Sequence, residues 1–209
     1  MVLRTRTNTN WSGLIVAVNE IIKPGAGLLF MKIGTHANEG LAEIIARKAE
    51  EIRQTGFGMW GYGGNTCHPG SMVQPFARSF AQKGQTIHLC MEEMDSHHFA
   101  EGVASEYSVD GIAWKEIPPT IEVRGSKYAL VINDLHEEQL ILPLDQTRVP
   151  VGPSTGRLGS RYIKGRVDKA CLEVLDAPEI SNEFEPRNLE IGLVATLADP
   201  YAVFLRGQR

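Results

Sequence analysis

Long apolar runs are missing from this 209-residue chain. The longest, residues 14–18, 28–31 and 129–132, fall far short of the ~20 residues that a membrane-spanning helix requires. Residues 1–10 lack the apolar core of a secretory signal, which points to a cytoplasmic protein. Cysteine is scarce. Cys67, Cys90 and Cys171 make an odd count without CxxC spacing, a pattern of reduced thiols rather than a disulfide framework. A basic surplus is absent too: 21 Lys and Arg stand against 25 Asp and Glu, which argues against a general nucleic-acid coat. No Gly-Lys-Ser/Thr follows a glycine-rich loop and no HExxH occurs, so the sequence carries neither a P-loop nor that zinc motif.

What is present is the composition of a globular protein. The chain is 43% hydrophobic with a net charge of −4, and it is long enough to bury a core without disulfides or metal. Charge is uneven along it. Arg148, Arg157, Arg161, Lys164, Arg166 and Lys169 form a basic strip interrupted only by Asp168, whereas residues 92–116 hold seven acids against Lys115 alone. Such a strip can track a few phosphates without making the whole protein cationic, although charge runs also serve simply to solvate a loop.

Periodicity predicts short strands at residues 14–22 and 28–33 around a Pro-Gly turn at 23–27. Leu41, Ile44, Ile45, Ala49 and Ile52 recur at helical spacing over residues 39–54, with Gly56 as a stop. A strand running into a loop is expected at 57–64. A second helix at 71–82 presents Val73, Phe76, Ala77 and Phe80 on one face, and a strand follows at 86–91. Further strands are expected at 99–105, 111–115, 120–123 and 127–133. Beyond these come a Gly/Pro/Ser-rich stretch at 151–159, a helix or strand at 167–175, and apolar runs at 191–197 and 201–205. The order predicts an α+β fold with a mixed or barrel-like sheet and two or three helices.

Three constellations are candidates for chemistry. The loop Gly56-Phe-Gly-Met-Trp60-Gly-Tyr62-Gly-Gly-Asn65-Thr-Cys67 combines glycines, which let a ligand approach the backbone, with an indole that offers a flat face. Its glycine spacing is not a dinucleotide fingerprint, because a helix rather than a strand precedes it. The bland alternative is a buried Trp beside a glycine turn. Residues His88, Cys90, Glu92, Asp95, His97, His98 and Glu101 are metal-ligand types at spacings that match no zinc pattern, so a solvated acidic stretch is the better reading. Ser96-His97, Cys67-His68 and the acid, base and thiol of residues 164–171 hold reactive groups, but nothing sets their geometry. Catalysis is therefore the less favoured reading.

The order of elements carries more than any single motif. Phe30-Met-Lys-Ile-Gly34, Gly58-Met-Trp60, Phe76-Ala-Arg78, residues 87–91, residues 98–104 and residues 114–118 follow one another as strand, Gly-x-Trp turn, helix and strands do in the YTH and EVE families of PUA-like domains. The sequence resembles those families over residues 27–135. The resemblance implies a PUA-like domain at 1–135; residues 136–209, which it does not explain, are expected to form a C-terminal extension packed on the same domain. It implies a reader of nucleic acid that turns a modified, typically methylated, base into an aromatic pocket, with no cofactor.

By that resemblance Trp60 is the first wall of the pocket, and Lys32 and Gly34 line it. Tyr107, or else Tyr62, closes it, and Asn65 belongs to the same loop. Trp114 falls on a core position. Arg157, Arg161, Lys164 and Arg166 are the expected phosphate contacts. Two rivals use the same residues differently: a small-molecule nucleotide-binding protein or nucleotide-processing enzyme built on the Gly/Trp loop, and an interaction module in which Trp60 touches another protein.

Overall fold

The computed structural model describes residues 20–63, 68–99, 102–165, 167–179 and 187–207. Strand β1 (Gly27–His36) leads into helix α1 (Leu41–Thr55), strand β2 (Gly58–Gly61) and helix α2 (Gly70–Ala81). Strands β3 (His88–His98), β4 (Glu106–Ser108), β5 (Lys115–Glu116) and the long β6 (Tyr128–Pro143) follow. A 3-10 turn, Leu144–Gln146, precedes β7 (Thr147–Arg148), the short helix α3 (Gly159–Tyr162), β8 (Lys169–Val174) and β9 (Asn188–Arg206). The class is α+β, as the excess of strands and the early position of the two longer helices predict.

The strands form one mixed sheet in the order β2-β6-β9-β3-β1-β8-β7, with β4 and β5 attached at the end of β9. It is open, which corrects the barrel-like expectation: β2 and β7 pair on one side only along this path. Strands β1 and β3 run parallel, because α1, β2 and α2 intervene to carry the chain back. The region after residue 135 supplies central strands of the same sheet, since β9 lies between β6 and β3 and β8 pairs with β1.

Burial on both faces explains the uninterrupted apolar run of β1. Leu29 and Ile33 enter a core under α1 and α2 that holds Trp60, Phe76 and Phe80. Leu28 and Phe30 enter a second core with Cys90, Leu142 and Ile163 on the opposite face. A third cluster gathers Met59, Ala129, Val131 and Val203. Helix α2 buries Val73, Phe76, Ala77 and Phe80, the face its spacing predicts.

Helix α1 keeps Ile44 in the core with Leu41, Ile45 and Ile52 packed against it, as its spacing predicts, and departs from the prediction at Ala49. Its N-terminal Gly40 N–H is capped by Glu43 at 3.0 Å, and Gly56, at φ 81°, ends it by donating to Ile52. Its fully buried positions are Ile44, Lys48 and Glu51, whereas Ala49 is exposed. The helix is turned toward a charged pair because that pair binds the backbone of Glu122, as described below. Other expectations shift as well. Residues 20–21 are helical rather than strand, residues 111–113 and 120–123 are loop, and β6 extends ten residues beyond its predicted end at 133.

Candidate functional site

Residue alternation in β2 decides the site. Trp60 faces the α1/α2 core and Met59 the third cluster, so neighbouring side chains leave on opposite faces of the strand. The indole is 5% exposed, and it borders a cavity of about 420 Å³. That volume lies within the roughly 300–1,000 Å³ typical of small-molecule pockets. The cavity opens at the carboxyl ends of the parallel pair, where Lys32, Gly34 and His36 of β1 face Met94 and His98 of β3. Arg124, Gly125 and Ser126 wall one side, and Asp168 and Lys169, at the entry to β8, wall another.

The turn between β1 and α1 fixes His36 and Glu39. Their backbones exchange hydrogen bonds of 3.1 and 2.9 Å, and Ala37 and Asn38 between them are left-handed, with φ 52° and 62°. His36 Nε2 lies 3.0 Å from the Arg124 carbonyl, which ties this turn to the opposite wall. In β3, the register jumps from Ile33↔Glu93 to Thr35↔His97, so residues 94–96 bulge and place the 40%-exposed Met94 at the cavity.

A buried ionic network forms the floor. Lys48 Nζ donates to both Glu51 oxygens at 2.8 and 2.9 Å and to the Glu122 carbonyl at 2.6 Å. Glu51 in turn accepts the Glu122 N–H at 3.1 Å. Arg47 donates to the same carbonyl at 2.8 Å and grips Glu39 with two bonds of 2.9 and 2.5 Å. Burial pushes the Lys48 ammonium down to about 8, against the opposing pull of Glu51. The hydrogen bond from Arg47 holds Glu39 below its ordinary value.

Cations outnumber carboxylates on the lining, with Lys32, Arg47, Lys48, Arg124 and Lys169 against Glu39, Glu122 and Asp168. Lys32 pairs loosely with Glu92 at 3.9 Å, and Arg124 pairs with Glu122. Lys169 is 3% exposed, sits 5.0 Å above the Tyr62 ring and donates to the Tyr62 carbonyl at 3.2 Å.

The predicted residues divide accordingly. Trp60, Lys32 and Gly34 meet at the cavity. Tyr62 is fully buried beneath Lys169, with its hydroxyl donating to the His68 carbonyl at 3.0 Å, so it supports the wall without closing it. Tyr107 lies in β4 and packs against the cluster of Met59, on the far face of β2 from Trp60, and therefore is no second wall. Trp114 stacks under the Arg206 guanidinium at 4.0 Å. Arg157, Arg161 and Lys164 are exposed on the 152–165 segment, and none lines the cavity. Asn65, Cys67 and Arg166 lie outside the described residues.

Other reactive groups lie apart from the cavity. Cys90 and Cys171 are fully buried, and burial pushes both thiols up, Cys90 to about 12. Among the described residues no three His, Cys, Asp or Glu side chains converge as metal ligands. The letters Gly152-Pro-Ser154-Thr-Gly156 spell a Gly-x-Ser-x-Gly pattern. They form a hydrogen-bonded turn, with Arg157 N–H donating to the Ser154 carbonyl at 3.1 Å, rather than the strand-to-helix elbow that exposes a nucleophile. Among the described residues no helix is long and apolar enough to cross a membrane.

Comparison with protein-family models, with curated proteins and with solved structures finds no match to this chain. The site therefore rests on its own geometry. Sequence reasoning missed Arg47, Lys48, Arg124, Asp168 and Lys169 as lining groups, although Asp168 and Lys169 fall inside the basic strip it had singled out.

Proposed function

We propose that the chain is a PUA-like reader that binds nucleic acid bearing a modified, typically methylated, base, and that the base is held in the cavity beside Trp60. The observation that carries this reading is the meeting of Trp60, Lys32 and Gly34 at one cavity. These are the positions that the YTH and EVE resemblance assigns to base binding. The indole, 5% exposed with the rest packed in the α1/α2 core, borders the cavity as an aromatic contact for the base. Met31, Ile44 and Met94 supply apolar contact in place of a second aromatic wall, and a buried methyl group gains about 0.8 kcal/mol. Lys32, Arg124, His36 and His98 at the same cavity supply donors to a phosphate or base edge.

Titration of methylated and unmodified oligonucleotides tests the reading. Tighter binding of the methylated strand is expected, with loss of that preference in Trp60→Leu and weaker binding in Lys32→Met. Equal affinity for both strands in the wild type defeats it.

A second reading is a binder of free nucleotides. It is favoured by the distance of the exposed strip residues Arg157, Arg161 and Lys164 from the lining. It is also favoured by the shallow depression beside the cavity, which shares Gly34, Thr35 and Met94 and carries Glu93 and Asp95. Acidic groups there oppose a long polyanion more than a single nucleotide. A thermal shift with mononucleotides and none with oligonucleotides selects this reading.

A further inference from the structure

Asp168 and Lys169 enter the cavity side by side. The Asp168 carbonyl accepts the Lys32 N–H at 2.8 Å, and Lys169 pairs with Met31 across β1 and β8, so both are fixed at the strand end. Their side chains are left incomplete. An ammonium has three N–H donors, and among the described residues Lys169 uses one of them, to the Tyr62 carbonyl. Asp168 Oδ2 lies 3.7 Å from Lys169 Nζ, an ion pair too long for a hydrogen bond. Asp168 Oδ1 is buried with no partner among the described residues, while 42% of the side chain remains open. Burying an ammonium with so few hydrogen bonds is costly, and both residues with this unused capacity line the cavity.

We propose that Asp168 and Lys169 form the edge-reading subsite of this cavity. Their ligand is a neutral planar ring that presents a hydrogen-bond acceptor and a donor at neighbouring positions on one edge. The inference rests on the base-binding reading given above. A carboxylate beside the ammonium repels a phosphate, so the pair suits a neutral edge better than an anion. Every unpaired nucleobase offers such an acceptor–donor pair on its Watson–Crick edge, with the ammonium donating to one atom and the carboxylate accepting from the next. The modifications this site accepts therefore lie away from the pairing ring nitrogen. Methylation of that nitrogen removes either the acceptor or the donor.

Four nucleosides and their ring-nitrogen methyl forms test this: adenosine with 1-methyladenosine, cytidine with 3-methylcytidine, guanosine with 1-methylguanosine and uridine with 3-methyluridine. Binding is read by calorimetry and by quenching of Trp60 fluorescence in a Trp11→Phe/Trp114→Phe background. At least one parent nucleoside is expected to bind about tenfold or more tightly than its methylated form, as loss of a hydrogen bond to a buried charged group implies. Asp168→Asn and Lys169→Met are expected to bring that ratio toward one while quenching persists. The Asp168 variant, at a half-open side chain, keeps the test valid if Lys169→Met fails to fold. Binding in which every methylated form is held as tightly as its parent overturns the inference and leaves the base-binding reading standing. Absence of quenching and heat with all eight compounds overturns that reading, and the subsite with it.

Discussion

The ammonium of Lys48 sits 2.8 and 2.9 Å from the two carboxylate oxygens of Glu51, and both residues are 2% exposed on the buried face of α1. This pair, with the Glu122 backbone it holds, sets the position of the 122–126 wall relative to Trp60. A buried ion pair is expensive to form but more expensive to break, because removing one partner strands the other charge.

Glu51→Gln is therefore expected to cost about 3–5 kcal/mol, read as the loss of unfolding free energy in urea. The double variant Lys48→Met/Glu51→Leu is expected to cost much less, since no charge is left stranded. Equal losses in the two proteins sink the claim that the pair acts as a unit.

Titration of Lys48 gives a pH signature. The folded group ionises near 8, below its ordinary value of 10.5, so between these values the unfolded chain binds more protons. Its contribution to stability is complete above pH 10.5 and is lost as pH falls to about 8. Plotted against pH, the difference in unfolding free energy between wild type and Lys48→Met is expected to rise across that window. A flat difference refutes the assignment.

Thiol chemistry offers an independent check on the cores. Cys90 and Cys171 are buried in opposite faces of the sheet and their thiols are raised by desolvation, so neither forms thiolate at neutral pH. In a Cys67→Ser background the folded protein is expected to leave a thiol reagent such as DTNB unreacted, and to react at two sites once denatured. Rapid labelling of the folded form contradicts the packing.

Close approach of backbone to side chain makes Gly27 and Gly70 sensitive. A Cβ at Gly70 would lie 2.5 Å from the Tyr128 ring, and one at Gly27 2.7 Å from the Phe80 ring. Gly70→Ala and Gly27→Ala are each expected to lose about 1–3 kcal/mol, the range for overpacking a well-filled core. Gly84→Ala, which meets nothing within 4 Å but has φ 74°, separates backbone strain from crowding. Gly27 and Gly70 have no positive φ, so variants there that are as stable as the wild type contradict the crowding.

Much of the local structure is legible in the residues themselves. Helix α2 shows its apolar face at regular spacing, and Gly56 ends α1 where a left-handed residue is needed. The contribution of Trp60, Lys32 and Gly34 to one site is also legible, because each sits at the end of a short, recognisable element. The face of α1 is legible only in part. Leu41, Ile44, Ile45 and Ile52 of the predicted stripe pack on the core while Ala49 is exposed, and the apolar pattern cannot register that Lys48 finds two carboxylate oxygens and a carbonyl to satisfy it. Tyr107 fails as a cage wall for a related reason. Nothing near it in sequence records that β4 pairs with the end of β9 on the Met59 side of the sheet.

The sequence alone determined the class of fold, the early helices, the lack among the described residues of a helix long and apolar enough to cross a membrane, and the indole within the glycine-rich loop, since each follows from composition or from neighbours a few positions apart. Tertiary structure decided that the sheet stays open and that β9 and β8 flank the parallel pair. It also decided that Arg124, Asp168 and Lys169 complete the cavity beside Trp60. Those choices depend on contacts between residues more than a hundred positions apart, such as Lys169 with Tyr62 and Gly27 with Glu173. Strand register and buried hydrogen bonding select such contacts, and local propensity carries no record of them.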